Sequence, residues 1–268
     1  MITKNSPIAV VDSGMGGITV LKKLHRIMPN ENYIYFGDSA NSPYGTKTKD
    51  EIRDITVSLV EKMMERGAKS VVIACNTATS CAIRFLREKY GIPFVGMEPA
   101  VKLAVEKYSV PGKRVLVTAT PLTVREEKLA RLIEKVDKEH IADTLALPGL
   151  VRFAERNEFC SAQVEEYLRL CLDGYNTSSY SAVVLGCTHF NYFKDTFRKL
   201  LAPETAIVDG SEGTVRRLMS LMSLDEKGAA DEENPHIEYC FSGVTCDSLE
   251  LERINRMLER LEEMEKIV

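Results

Sequence analysis

The chain has 268 residues, 44% of them hydrophobic and 28% charged, with a formal net charge of -4 and acids and bases interspersed. That length and apolar content suffice for a buried core in one large domain or two smaller ones, and the lack of a basic stripe or polybasic arm argues against a nucleic-acid or membrane partner. The N-terminal apolar run in MITKNSPIAVVDSG is too short for a secretory signal, and no run approaches bilayer-spanning length, so a cytoplasmic protein is expected.

In chain order, the apolar runs are PIAVVD, YIYFGD, SVVIACN, RVLVTAT, SAVVLGC and AIVDG. Each is β-branched and of the length of a strand buried on both faces. Helical patterns lie between them. KTKDEIRDITVSLVEKMMERG has apolar residues at Ile52, Ile55, Leu59, Val60 and Met63, with a glycine stop at Gly67. ATSCAIRFLREKYG is a second such helix. Strand alternating with helix implies βαβ units and parallel sheet, an α/β fold.

Two halves echo each other. VVDSGMGG and LVTATPLT each end a strand and lead into a helix. Asp12 precedes Cys75 by 63 residues, and Thr120 precedes Cys187 by 67. A duplicated α/β unit is expected. Its boundaries are placed near GMEPAVKLAVEKYSVPGK and near Asp209, giving a first domain of 1–98 with 209–268 and a second of 99–208. In the tail, LDEKGAADEENPH reads as an exposed linker. HIEYCFSG then reads as a strand, and DSLELERINRMLERLEEMEKIV as a helix with Asp247 and Glu250 in capping-box spacing. Its Leu251, Ile254, Leu258 and Leu261 form an apolar stripe that serves either its own domain or a homodimer seam.

Seven cysteines, an odd number, argue against a disulfide framework in a cytoplasmic chain. No C-x-x-C occurs, and only His189 of the four histidines sits near a cysteine, so no metal is expected. Cys81, Cys160, Cys171, Cys240 and Cys246 are read as small buried hydrophobes.

Ligands of open parallel sheets bind beyond the carboxyl ends of the strands. The polar loops there contain Asp12-Ser13-Gly14, Pro43-Tyr44-Gly45, Cys75-Asn76-Thr77, Thr120 to Thr123, and Cys187-Thr188-His189. DSGMGG is not G-x-G-x-x-G, and no P-loop is present, so a nucleotide site is unsupported. Asp12 could merely cap the next helix. The alternative is chemical. A thiolate is the reactive form of cysteine, and two thiols on opposite sides of a carbon can act as base and acid, inverting a stereocentre without a cofactor. Ser13, Asn76, Thr77, Thr120, Thr123 and Thr188 supply the neutral hydrogen bonds an amino-acid zwitterion requires.

VVDSGMGGITVL, YFGDSANSPYGTKT, VIACNTATS and VVLGCTHF resemble the signature motifs of the glutamate racemases, cofactor-independent cysteine racemases of the aspartate/glutamate racemase superfamily. The four motifs run in order from about Ile8 to Asp209. The resemblance implies two flavodoxin-like parallel-sheet domains related by pseudo-two-fold symmetry, with the active site in the cleft between them. It implies that Cys75 and Cys187 are the acid/base pair, acting on D- and L-glutamate respectively. Asp12 and His189 are then their auxiliary groups, and Glu155 is a further acidic helper. Ser13, Tyr44, Gly45, Asn76, Thr77, Thr120, Thr123 and Thr188 fall where the family holds its substrate, as do Asp12 and His189. No cofactor is implied, and the product would be D-glutamate for peptidoglycan. The chain departs from the pattern at Leu122, Glu126 and Leu147. An aspartate or other amino-acid racemase of the superfamily, or a non-catalytic binding module on the same fold, are the alternatives.

Overall fold

The computed structural model describes residues 2–224, 235–242 and 246–267. The expected linker falls mostly on 225–234, outside the described residues. The chain divides into two units, Met1–Glu98 with Ser211–Ile254, and Pro99–Gly210 with Asn255–Val268. No described helix is long and apolar enough to cross a membrane.

The first unit is built on a parallel sheet. Strands β1 (Ile8–Asp12), β2 (Tyr33–Gly37), β3 (Ser70–Ile73), β4 (Phe94–Gly96) and β9 (Ile237–Phe241) lie in the order β4-β3-β1-β2-β9. Every residue of β1 and β3 is buried, as befits central parallel strands that are mostly apolar and β-branched. Helices α1 (Ile18–Ile27), α2 (Lys49–Glu65), α3 (Asn76–Lys89) and α10 (Ser211–Met222) cover the sheet. α2 starts with a reciprocal capping box between Thr48 and Glu51. It stops where Gly67 takes a φ of 80°, a conformation cheap only for glycine. Its buried side chains are Ile52, Thr56, Leu59, Val60 and Met63.

The second unit repeats the scheme. β5 (Arg114–Ala119), β6 (Ala142–Ala146), β7 (Tyr180–Leu185) and β8 (Ala206–Asp209) lie in the order β6-β5-β7-β8, all parallel. Around them are α4 (Val101–Tyr108), α5 (Pro121–Arg125), α6 (Glu127–Val136), α7 (Pro148–Glu155), α8 (Ala162–Leu172) and α9 (Lys194–Leu200). Val101, Ala104, Val115, Val117, Leu129, Ala182, Val184 and Val208 form one core cluster. Each buried Val or Leu there contributes about 1.5–3 kcal/mol relative to exposure. In both sheets the unit's first strand lies between its second and third, with the fourth beyond the third. The first sheet adds β9 beside β2.

The final helix, α11 (Ser248–Glu265), starts at Asp247, whose Oδ1 accepts from the N–H groups of Leu249 and Glu250 at 3.0 and 3.1 Å. The sequence pattern attached all of 209–268 to the first domain, whereas Asn255–Val268 packs in the second unit. The reason is Arg260, 6% exposed. Its Nε donates to the Tyr192 carbonyl at 2.9 Å, its Nη2 pairs with Asp195 at 2.6 Å, and its guanidinium lies over the Phe159 ring. The buried stripe is Ile254, Met257, Leu261 and Met264, while Leu251 is exposed and Leu258 half-buried. The apolar face is thus used within the chain, one step round the helix from the expected stripe.

The reading of five cysteines as buried hydrophobes is corrected. Cys160 is exposed, and Cys81, Cys171, Cys240 and Cys246 are half-buried. Cys240, for one, lies against a cation, accepting from Arg66 Nη1 at 3.1 Å.

Candidate active site

In the first sheet the chain passes from β1 out to β2, then returns to β3 on the other side of β1. The strand order reverses there, the place where open parallel sheets bind their ligands, beyond the ends of β1 and β3. Ala74 N–H donates to the Val11 carbonyl at 2.8 Å, extending the ladder one step and setting Cys75 beside the Asp12 loop. The second sheet reverses at β5 and β7. There Gly186 N–H donates to the Thr118 carbonyl at 2.7 Å, and Cys187 follows. A side chain at Gly186 would meet that same carbonyl at 2.5 Å.

Within the first unit, Asp12 ends β1 and Ser13 follows it, 3% and 6% exposed. Asp12 Oδ2 accepts from Gly14 N–H at 3.1 Å. It does not cap α1, which begins after Gly17 with no side-chain cap. Gly17 is needed for packing, since a Cβ there would lie 2.6 Å from the Asp12 Cβ and 3.0 Å from that of Ala74. Cys75, 7% exposed, is the N-cap of α3, and Ala78 N–H points at its Sγ from 3.4 Å. A helix N-terminus favours negative charge on that sulfur. Asn76 and Thr77 follow in the first turn, both buried. Neither the donor nor the acceptor of the Asn76 amide has a partner among the described residues, the condition of groups that meet a polar ligand. Tyr44 and Gly45 lie in a short turn after β2. Burial, a 2.6 Å bond to Asp38, and the nearby Cys75 and Asp12 push the Tyr44 phenol far above its ordinary range, so it stays a neutral hydroxyl.

Within the second unit, Thr120 is the N-cap of α5. It accepts from Thr123 N–H at 3.4 Å and meets the Thr123 hydroxyl at 3.0 Å. Cys187, 7% exposed, precedes a tight turn over Thr188–Phe193 whose side chains are all buried. Its Sγ lies 3.7 Å from His189 Nδ1, and His189 Nε2 lies 2.6 Å from Glu155 Oε1 at the end of α7. Burial alone lowers the imidazole's affinity for a proton. The Cys187 sulfur and the Glu155 carboxylate outweigh it and hold His189 well above its ordinary value. The imidazolium is therefore the favoured form of His189, beside the Cys187 sulfur.

The fold thus gathers Asp12, Ser13, Tyr44, Gly45, Cys75, Asn76 and Thr77 at one strand-order reversal. It gathers Thr120, Thr123, Cys187, Thr188, His189 and Glu155 around the other. Of the departures noted in sequence, Glu126 and Leu147 are buried and Leu122 is half-buried. Two side chains at these loops escaped the sequence reading. Asp38 is 1% exposed and holds Tyr44, and Asn191 is 2% exposed and donates to the Thr188 carbonyl at 3.3 Å. Asp38 lies within the motif GDSANSPYG, and a buried acid ending a strand was the available signal.

A thiol with a neighbouring proton acceptor or imidazolium, at each of two strand-order reversals, is equipped to add or remove a proton at carbon. Comparison with known proteins gives the family. A model of the Asp/Glu/Hydantoin racemase family matches residues 8–218. A glutamate racemase of Lachnospira eligens is 44% identical over 97% of this chain and 99% of its own length. One of Campylobacter curvus is 46% identical over the same shares. Among solved structures, a glutamate racemase isoform of Bacillus anthracis superposes with a TM-score of 0.81 at 25% identity, covering 97% of this chain and 95% of that one. The Escherichia coli glutamate racemase, solved with L-glutamate and the activator UDP-MurNAc-ala, gives 0.80 at 29% identity, covering 96% and 95%. With the family match spanning both units and these relatives aligned nearly end to end, the chain belongs to the Asp/Glu/Hydantoin racemase family and is an isomerase.

Proposed function

We propose that the chain interconverts L- and D-glutamate with no cofactor, using Cys75 and Cys187 as the two acid/base groups. The observation that carries this is the Cys187–His189–Glu155 line in one unit, matched by Cys75 at a helix N-terminus beside Asp12 in the other. Its relatives bear on the substrate. Curated relatives are glutamate racemases, and a structural neighbour from Francisella tularensis was solved with D-glutamate.

The proton balance is simple. Starting from L-glutamate, the Cys187 thiolate takes the α-proton and becomes a thiol. The electron pair left on the α-carbon is delocalised into the carboxylate. The Cys75 thiol gives its proton to the opposite face, releasing D-glutamate and leaving a thiolate. Exchange with solvent resets both sulfurs. His189, held by Glu155, stabilises the Cys187 thiolate, and Asp12 shares the proton of Cys75. Ser13, Tyr44, Gly45, Asn76, Thr77, Thr120, Thr123 and Thr188 hold the substrate. In the cell, the D-glutamate supplies peptidoglycan synthesis.

Circular dichroism tests the reading. Either glutamate enantiomer is expected to lose its signal to the racemic value, in enzyme dialysed against a chelator. Turnover of aspartate in preference to glutamate would replace this reading with another racemase of the superfamily. No turnover of either would favour a binding module. For the cellular role, depletion should cause lysis that external D-glutamate relieves in a host that imports it.

A further inference from the structure

Among the described strands, the first sheet carries one that the second lacks, β9 beside β2. Ser242, the residue after β9, extends that ladder by donating its N–H to the Gly37 carbonyl at 3.0 Å. Its hydroxyl therefore sits at the carboxyl end of the sheet, where the site loops gather. That hydroxyl donates to Asp38 Oδ1 at 2.5 Å and accepts from Ala40 N–H at 3.0 Å. Asn41 Nδ2 also donates to Oδ1, at 3.0 Å. Tyr44 O–H donates to Oδ2 at 2.6 Å, and the Asp38 N–H donates to the Asp12 carbonyl at 2.9 Å. One carboxylate, 1% exposed, thus takes uncharged donors from Asn41 and Tyr44 and from Ser242, 204 residues away.

Burying a carboxylate among neutral donors is costly unless its lone pairs are well satisfied. Here they are, and the bonds fix direction as well as energy. The single proton of the Tyr44 hydroxyl goes to Asp38, so Asp38 sets where the ring lies. That ring is close enough to Cys75 and Asp12 for their charges to act on its hydroxyl.

We infer that Asp38 is a positioning residue for the racemase site, acting through Tyr44, with Ser242 as its brace from the extra strand. This rests on reading the Asp12, Tyr44 and Cys75 loops as the place where substrate binds. Two readouts test it, one of which needs no turnover. Amide hydrogen exchange over residues 39–46 is expected to speed up about tenfold or more in Asp38→Ala, and severalfold in Ser242→Ala. In glutamate racemisation, Asp38→Ala is expected to raise KM about ten- to a hundredfold, with kcat changed less than about threefold. Combined with Tyr44→Phe it should add less than about twofold, because both act on one element. Wild-type exchange and KM in Asp38→Ala would overturn the inference, as would effects of Asp38→Ala and Tyr44→Phe that multiply in full. Should Asp38→Ala fail to fold, the half-buried Ser242→Ala decides, with unchanged exchange and KM counting as refutation. A wild-type chain that does not turn over glutamate counts against the proposed function, and the exchange measurement then judges the clamp by itself.

Discussion

Glu155→Gln separates the electrostatic work of the Cys187–His189–Glu155 line from its geometry. The His189 side chain is 2% exposed and that of Glu155 is 19% exposed, with 2.6 Å between Nε2 and Oε1. Glutamine keeps an acceptor oxygen at that place and removes only the charge. The loss is therefore the difference between a charge-assisted and a neutral hydrogen bond, about 1–2 kcal/mol. It should not reach the roughly 3–5 kcal/mol of an orphaned buried ion, because His189 can release its proton. Converted to rate, kcat/KM is expected to fall about five- to thirtyfold, and equally in both directions, since the enantiomers fix the equilibrium constant. The L-to-D kcat should fall further than the D-to-L value. The sign of the pH effect follows from the raised imidazole. Its stabilisation is full below the ordinary value of 6.5 and is lost as pH rises through the raised value. In Glu155→Gln the imidazole shifts back down, so that loss begins at a lower pH. An NMR titration of the His189 ring, with circular dichroism kinetics in both directions, reads each part. An unmoved titration together with unchanged kcat/KM would refute the assignment of Glu155 as the group that holds His189 protonated.

Further outcomes are expected. Cys75→Ser and Cys187→Ser should each cost about a hundredfold to ten-thousandfold in turnover, while Cys81→Ser, half-buried on α3, should retain it; a folded Cys81→Ser as inactive as Cys75→Ser would break the pairing of the thiols. In heavy water, L-glutamate should yield D-glutamate labelled at the α-carbon while the remaining L-glutamate stays protiated at early times; early label in the substrate would point to a single base. Gly17→Ala should destabilise by about 1–3 kcal/mol, because its methyl group would press on Asp12, and a thermal melt at the wild-type temperature would contradict that. Arg260→Met should lower the melting temperature by several degrees through loss of its bonds to Tyr192 and Asp195, with an unchanged melt as the contrary result.

The parts of this protein written in short-range pattern could be read from the chain. β1, β3, β5 and β7 are each dominated by apolar and β-branched residues, and each gives way abruptly to polar residues at Asp12, Cys75, Thr120 or Cys187. Run length and turn chemistry are local properties, so the parallel α/β class and the candidate thiols needed no tertiary information. The capping of α2 by Thr48 and Glu51 was equally local. A strand ending near Gly96 was expected, but β6 was not recognised. β6, ADTLA, is a half-buried edge strand with no apolar run to announce it.

The rest depends on contacts between residues distant in sequence. A heptad-like count suggested Leu251 and Leu258 for the face of α11, but Arg260, reaching Tyr192 and Asp195, turns Met257 and Met264 inward. Whether a cysteine is buried follows from its neighbours, so Cys160 and Cys240 could not be placed from composition. The order of strands in each sheet, which makes the ends of β1 and β3 and of β5 and β7 adjacent, is a property of chain crossing and leaves no mark in any one segment. The same holds for Asp38. Its acidity is visible in GDSANSPYG, but its role depends on Ser242, which folding brings 204 residues back to meet it.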